Sequence, residues 1–276
     1  MSAGDEAKSQ QEGITRISIS GFKSIAEECS IDIRPLTILA GANSSGKSSI
    51  MQPLLLMKQT LEAPFDPPGA FLLSGPNVEF TSTDQILSKT AKDHHFTVGI
   101  MGPGPSSFSG SYKGTDEEKF DTKECFYWFG AFEARLWPGM TQQHLAEKVI
   151  RRLFTPPYIE EHREHWQVKH HRCFLEIESS GIEAEEESIP PGRSHLRTPF
   201  VFHLSCIIHV PGIRGNPQRA YPRTAVGHEY PGRFTDYVAS LIAEWGKKKD
   251  ERLATLVGHL TTLGLTSGVK AVQKDA

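Results

Sequence analysis

An α/β fold is predicted by three observations near the start of the chain. Residues 41–48 read Gly-Ala-Asn-Ser-Ser-Gly-Lys-Ser and fit G-x-x-x-x-G-K-[ST] at every fixed position. The five residues before them, Leu36-Thr37-Ile38-Leu39-Ala40, form a short apolar run with a β-branched pair, as a buried parallel strand requires. After the loop, Ile50, Leu54, Met57, Lys58 and Leu61 fall at helical spacing, with Pro53 tolerated in the first turn. A strand, loop and helix in that order is the context the motif needs.

Upstream, Ile14 to Ile19 alternates apolar and polar residues, the mark of a half-buried strand. A turn at Gly21-Phe22-Lys23-Ser24 leads to a second alternating strand around Cys29 to Ile33, and Pro35 separates it from the loop strand. Downstream, residues 64–69 break the chain after the loop helix. Phe71-Leu72-Leu73 and Val78-Glu79-Phe80 flank a Gly75-Pro76-Asn77 turn, and a short element begins at Asp84-Gln85-Ile86-Leu87. Phe96 to Ile100 reads as a strand. Residues 102–121 are rich in Gly, Ser, Pro and charge and read as an exposed loop.

A mixed region follows, with aromatics at Phe126, Tyr127, Trp128, Phe129 and Phe132. Leu145, Val149, Ile150, Leu153 and Phe154 lie on one face of an expected helix. Strands are expected over 173–177 and 200–210, bracketing an acidic loop at 183–187. Two helices close the reading. Phe234, Tyr237, Val238, Leu241, Ile242 and Trp245 form one stripe; Leu253, Leu256, Val257, Leu260 and Leu263 form the second, with Gly264 as its stop. The expected organisation is a disordered tail over 1–12, an N-terminal lobe with the loop over 13–101, an exposed loop over 102–122, a mixed α/β insertion or β-lobe over 123–210, and an Arg-rich loop with a helical segment over 211–276.

Composition narrows the class. In 276 residues, 38% hydrophobic and 23% charged content suits a globular protein with a core. No apolar stretch is long enough to span a bilayer, and the polar start at residues 2–12 is not a signal peptide. Four cysteines make no disulfide framework, so a reducing cytoplasm is the expected setting. A formal charge of −3 exerts no global pull toward nucleic acid.

The loop has a defined chemistry. Its glycines let backbone N–H groups turn inward on phosphates, Lys47 reaches the β and γ oxygens, and Ser48 offers a hydroxyl to Mg²⁺. The positive end of the following helix dipole points at the same charge. The candidate nucleotide-binding set from the loop is therefore Gly41, Ala42, Asn43, Ser44, Ser45, Gly46, Lys47, Ser48 and Ser49. No Asn-Lys-x-Asp guanine reader occurs, which favours ATP over GTP. His170, His171 and Cys173, and Cys206 with His209, contain zinc-ligand chemistry, but their spacing matches no common finger and the cysteines read as core residues. Arg214, Arg219, Arg223 and Arg233 crowd a Pro/Gly-rich segment, either as a solvated loop or as a DNA contact.

The stretches Ile17-Ser18-Ile19-Ser20-Gly21-Phe22-Lys23-Ser24 and Leu36 through Ser49 resemble the start of the SMC/RecF/OLD-like ABC-type ATPases, often called AAA family ATPases in bacteria. The segment Val210 through Arg219, then Gly232, Phe234, Tyr237 and Val238, is similar to their middle region. The resemblance implies a P-loop NTPase of ABC-head type with an N-terminal antiparallel β-lobe. It adds Lys23 and Ser24 as residues near the nucleotide, and Gln85 as a candidate for the glutamine that senses Mg²⁺ and the attacking water. It also implies ATP and Mg²⁺ as cofactors, DNA as a possible partner, and a homodimer of heads.

Family members hydrolyse ATP with parts that lie later in the chain. These are an acidic pair closing an apolar run, and a signature at a helix N-terminus that reaches across a head dimer. Neither is found: Asp116-Glu117-Glu118 sits in a polar loop, and no apolar run ends in an acidic pair. The expected reading is therefore the ATP-binding N-terminal part of such an ATPase, with an incomplete core sheet and no catalytic residue of its own. The alternative is a non-catalytic truncated or split-gene fragment that binds nucleotide or a partner chain supplying the missing half.

Overall fold

Alternation at the start of the chain produces the sheet it predicts. In β1 (Arg16–Ser20), Ile17 and Ile19 are buried between half-buried or exposed polar residues. β2 (Cys29–Asp32) pairs antiparallel with β1, placing Ile17 opposite Ile31. In the computed structural model the described residues are 13–43, 45–90, 93–150, 166–179, 196–212, 220–227 and 229–272. The chain divides into two units, Met1–Leu204 and Ser205–Ala276. The tail expected over 1–12, Arg214, Arg219, the acidic loop at 183–187 and the helix residues Leu153 and Phe154 lie outside the described residues.

β3 (His95–Met101), β4 (Ser106–Gly114), β5 (Phe120–Phe129) and β6 (Phe132–Leu136) complete an antiparallel six-stranded sheet of order β2-β1-β3-β4-β5-β6. Register aligns one apolar face. Ile17 and Ile19 meet Ile100 and Val98; Phe96 and Ile100 meet Tyr112 and Phe108; Tyr127 and Cys125 meet Ala134 and Leu136. All of these side chains are buried. Each such aliphatic or aromatic side chain contributes about 1.5–3 kcal/mol on removal from water.

β4 corrects the expectation of an exposed loop over 102–122. Its inward residues Phe108, Gly110 and Tyr112 alternate with Ser107, Ser109 and Ser111. Serine and glycine composition resembles a loop, while the strand is specified by the two aromatic residues that the sheet buries. Only the short turns on either side of β4 remain outside strands. In the second of these, Glu118 accepts hydrogen bonds from the Thr83 N–H (2.8 Å) and hydroxyl (3.2 Å).

α1 (Gln52–Glu62) has Pro in its first turn and buries Leu54, Leu56 and Met57. Its buried polar residues Lys58, Gln59 and Thr60 are paired. Gln59 donates to Leu72 O (2.7 Å) and accepts from the N–H groups of Asn77 and Val78. The Thr60 hydroxyl accepts from the Leu72 N–H, and Lys58 forms an ion pair with Glu62. These bonds hold the 71–80 segment, whose Phe71 packs on Phe96, Tyr112 and Phe120.

A second, two-stranded sheet covers the other end of the apolar face. β7 (Trp166–His171) and β8 (Phe174–Ser179) form a hairpin. It is attached by two buried phenols: Tyr112 donates to Cys173 O (2.7 Å) and Tyr127 to Leu175 O (2.8 Å). At the hairpin tip Arg172, with φ 56°, turns its guanidinium onto the C-terminus of α1. It donates to Thr60 O (2.7 Å), Leu61 O and Ala63 O (2.8 Å), and pairs with Asp66 (3.2 Å). A cation there satisfies carbonyls that the helix leaves unpaired and opposes the negative end of its dipole.

Between the two sheets in sequence lie α2 (Gln142–Leu145) and a π-turn over Ala146–Ile150. α3 (Thr198–Ser205) replaces the strand expected over 200–210. An apolar run of this length fits either period, and here Phe200 and Leu204, four apart, are the buried pair. Phe200 contacts Phe108, Tyr127 and Phe129. Of the cysteines read as core, Cys173 is buried but Cys206 is exposed, because the strand that would have buried it is absent.

The largest departure is at residues 36–40. The buried parallel strand expected before the loop is not formed. Leu36 is 79% exposed, Ile38 78% and Leu39 37%. A strand needs a neighbour, and the six-stranded sheet ends at β2 with none beside this segment among the described residues.

In the second unit, α4 (Val238–Lys248) and α5 (Glu251–Thr262) follow the two expected stripes. They are joined at Lys249, which adopts φ 54°, and at the N-cap Asp250. Arg252, bonded to Asp250, holds that carboxyl down at about 2. Gly264, φ 70°, ends α5 with Leu265 N donating to Leu260 O (2.9 Å), as its position predicted. Among the described residues no helix is long and apolar enough to cross a membrane.

Candidate functional site

The loop at 41–48 leads straight into α1. Gly46 O accepts from Ile50 N (3.1 Å) and Ser48 O from Gln52 N (3.1 Å), so helical bonding begins inside the motif. Gly41 (φ 155°) and Gly46 (φ 92°) adopt backbone conformations that side chains disfavour. A Cβ on Gly46 would lie 3.1 Å from the Ser24 hydroxyl oxygen, so the turn carrying Ser24 packs directly on the loop.

Four consecutive donors emerge from this arrangement. Among the described residues the N–H groups of Gly46, Lys47, Ser48 and Ser49 donate no hydrogen bond. Such amides at the head of a helix form an anion-binding concavity. Lys47 turns its ammonium onto the same loop, donating to Gly41 O (2.7 Å) and Ala42 O (2.5 Å). Ser48 is exposed and Ser49 buried, while Gly41, Ala42, Asn43 and Ser45 are exposed. Ser44 lies outside the described residues.

The turn at residues 21–25 connects the loop with the short element at Gln85. Phe22 bridges both Ile25 and Leu87, and Lys23 N donates to Ile86 O (2.7 Å). Lys23 has φ 51°, its ammonium stands 4.5 Å from the Phe80 ring centre, and burial pulls its pKa below the ordinary lysine value. Cation–π attraction takes the place of a counter-ion there. Gln85, in the 3₁₀ turn Thr83–Gln85, is exposed. Its amide bonds Thr81, from Nε2 to the hydroxyl (2.7 Å) and from Thr81 N to Oε1 (3.0 Å). Ser24 therefore meets the loop directly, Lys23 lies one residue away over Phe80, and Gln85 adjoins the far side of the same turn.

Two features were not anticipated from the sequence. Arg172 fastens the end of α1 opposite the loop, at a separation of over a hundred residues, and no local pattern announces such a contact. Glu118 caps the turn that holds Gln85, although the polar run around it reads only as solvated.

The loop thus sets a run of outward amides, without a hydrogen bond among the described residues, at the head of a buried helix. Residues 13–122 match the model of the AAA ATPase domain. A solved SMC ATPase, from work on the structural biochemistry of ATP-driven dimerization and DNA-stimulated activation, aligns at 15% identity with a TM-score of 0.29. The alignment covers 52% of this chain and 81% of that one. No curated protein matches.

Proposed function

We propose that the chain is the ATP-binding part of an SMC/RecF/OLD-like ATPase, with a P-loop head of ABC type that works by nucleotide-dependent engagement. The observation that carries this reading is the run of four N–H groups from Gly46 to Ser49, unbonded among the described residues, beside Lys47. In this reading the amides cradle phosphate oxygens. Lys47 exchanges Gly41 O and Ala42 O for the β and γ oxygens, and Ser48 presents its hydroxyl to Mg²⁺. The triphosphate would bring the negative charge, which the amides, Lys47 and a Mg²⁺ held by Ser48 would offset together. In this reading Gly41, Ala42, Asn43, Ser44 and Ser45 shape the loop, Ser24 and Lys23 border it, and Gln85 would have to leave Thr81 to reach the metal. The resemblance extends the proposal to a dimer of heads and to DNA.

A second reading is favoured by the exposed segment at residues 36–40: a nucleotide-binding fragment that turns over only with a partner chain. Phosphoryl transfer needs a group to position the nucleophile, and the sequence holds no acidic pair at the end of an apolar run.

Calorimetric titration with ATP and Mg²⁺ tests the site. Wild type binds and Lys47→Ala does not; equal affinities for the two chains refute the proposal. Turnover by the purified chain stays at background. Hydrolysis that disappears in Lys47→Ala would reveal a catalytic carboxylate within this sequence.

A further inference from the structure

We infer that Phe80 is a built-in competitor of the nucleotide: its ring stores the Lys23 ammonium while the loop is empty and gives it up to a phosphate oxygen when ATP binds. The inference rests on the reading of residues 41–48 as an ATP site and adds to it a residue that sets how tightly the site holds its ligand.

Lys23 stands apart by what it lacks. Lys58, Arg172 and Arg197, also buried or half-buried, each face a carboxylate, of Glu62, Asp66 and Glu176 respectively. Among the described residues the Lys23 ammonium has no carboxylate and no oxygen acceptor, and its partner is the buried Phe80 ring at 4.5 Å from the centre. An aromatic face attracts a cation but offers no lone pair to its three N–H donors. The lowered pKa of Lys23 agrees with a charge that burial has left short of partners.

The position of Lys23 is imposed by its backbone. Its N–H donates to Ile86 O (2.7 Å), and the preceding Phe22 bridges both Ile25 and Leu87. Held this way it keeps φ at 51°, a left-handed conformation that a lysine adopts only where its surroundings dictate it. The next residue, Ser24, brings its hydroxyl to 3.1 Å from where a Cβ on Gly46 would lie. A lysine stem reaches about 6 Å from its Cα, so rotation of the side chain alone can carry the ammonium from Phe80 toward the loop. A charge-assisted bond to phosphate is stronger than a cation–π contact, which makes the transfer favourable once ATP is bound. Storage over Phe80 then reduces the apparent affinity, because the empty protein must give up that contact.

A double-mutant cycle, read by calorimetric titration of the full chain with ATP and Mg²⁺, tests the pair. Lys23→Met is expected to weaken binding by about tenfold. Phe80→Leu keeps an apolar side chain at the buried position and is expected to tighten binding by about two- to fivefold. In the Lys23→Met background the same Phe80→Leu change leaves affinity where it was. A shift of equal size in both backgrounds means that Phe80 acts through packing and overturns the inference, as does unchanged affinity in Lys23→Met. Wild type supplies a readout that needs no variant to fold. Protons above an aromatic face resonate upfield, so the Lys23 Hε signals start upfield and move to ordinary positions on saturation with ATP and Mg²⁺. Signals that stay in place while ATP binds also overturn the inference. Equal ATP affinity in wild type and Lys47→Ala defeats the nucleotide site itself. Binding that depends on Lys47 and ignores both Lys23 and Phe80 defeats the storage contact alone.

Discussion

Lys23 shows how one side chain reports on its surroundings. Burial opposes its charge, and the Phe80 face only partly replaces the lost water. A lysine whose folded pKa is depressed weakens the folded state while it is charged. That cost is present below the folded pKa and vanishes as pH rises through it to the unfolded value, near ~10.4. Buried Tyr112, Tyr127, Cys125 and Cys173 act in the opposite sense: burial raises them, Cys125 to about 12, so they lose stability on alkalinisation. A comparison with Lys23→Met isolates the lysine. Urea titrations are expected to show Lys23→Met gaining on wild type at neutral pH, with the difference shrinking as pH climbs through the alkaline range. A gap independent of pH would mean that Lys23 is not desolvated.

At the scale of elements, α1 is held at its C-terminus by one guanidinium. Arg172→Ala leaves three carbonyls and Asp66 without it, and hydrogen bonds to charged groups are each worth about 1.5–3 kcal/mol. Because part of this cluster is solvent-accessible, a loss of about 2–3 kcal/mol in chemical denaturation is expected. Arg172→Lys recovers only a fraction, since an ammonium cannot span the carbonyls as a planar fork does. The elements also show what a linear reading captures. β1, α1 and the loop were legible because alternation, helical spacing and the phosphate pattern are each local. β4 was hidden because Ser107, Ser109 and Ser111 outnumber its two buried aromatics. α3 was read as a strand because an apolar run lacks a period until the packing of Phe200 and Leu204 selects one. Residues 36–40 were read as a strand because local preference says so, yet pairing is a property of two segments. Of the candidate site, the loop residues were legible, whereas the approach of Ser24 to Gly46 depends on how a turn folds back and has no local pattern.

For the whole molecule, a ligand that binds only the folded chain raises its stability by mass action. At an ATP-Mg²⁺ concentration about 100 times the dissociation constant, the gain is about 2.7 kcal/mol. The melting temperature of wild type is expected to rise with nucleotide while that of Lys47→Ala stays fixed; a rise in both would place binding elsewhere. The sheet order also carries a cost in sequence separation. β1 pairs with β3 across a stretch that contains the whole loop and α1, so this long connection must be spanned before the sheet can close.

The Arg172 clasp gives this separation a time scale. Thr60 and Ala63 precede Arg172 by 112 and 109 residues. At a synthesis rate of about 5–20 residues per second, the carbonyl end of α1 waits roughly 5–20 s for its cation. During each round of translation the loop-bearing helix therefore exists first as an unfastened segment. Pausing the ribosome just before codon 172 would leave a nascent chain with the complete phosphate-binding sequence and no clasp.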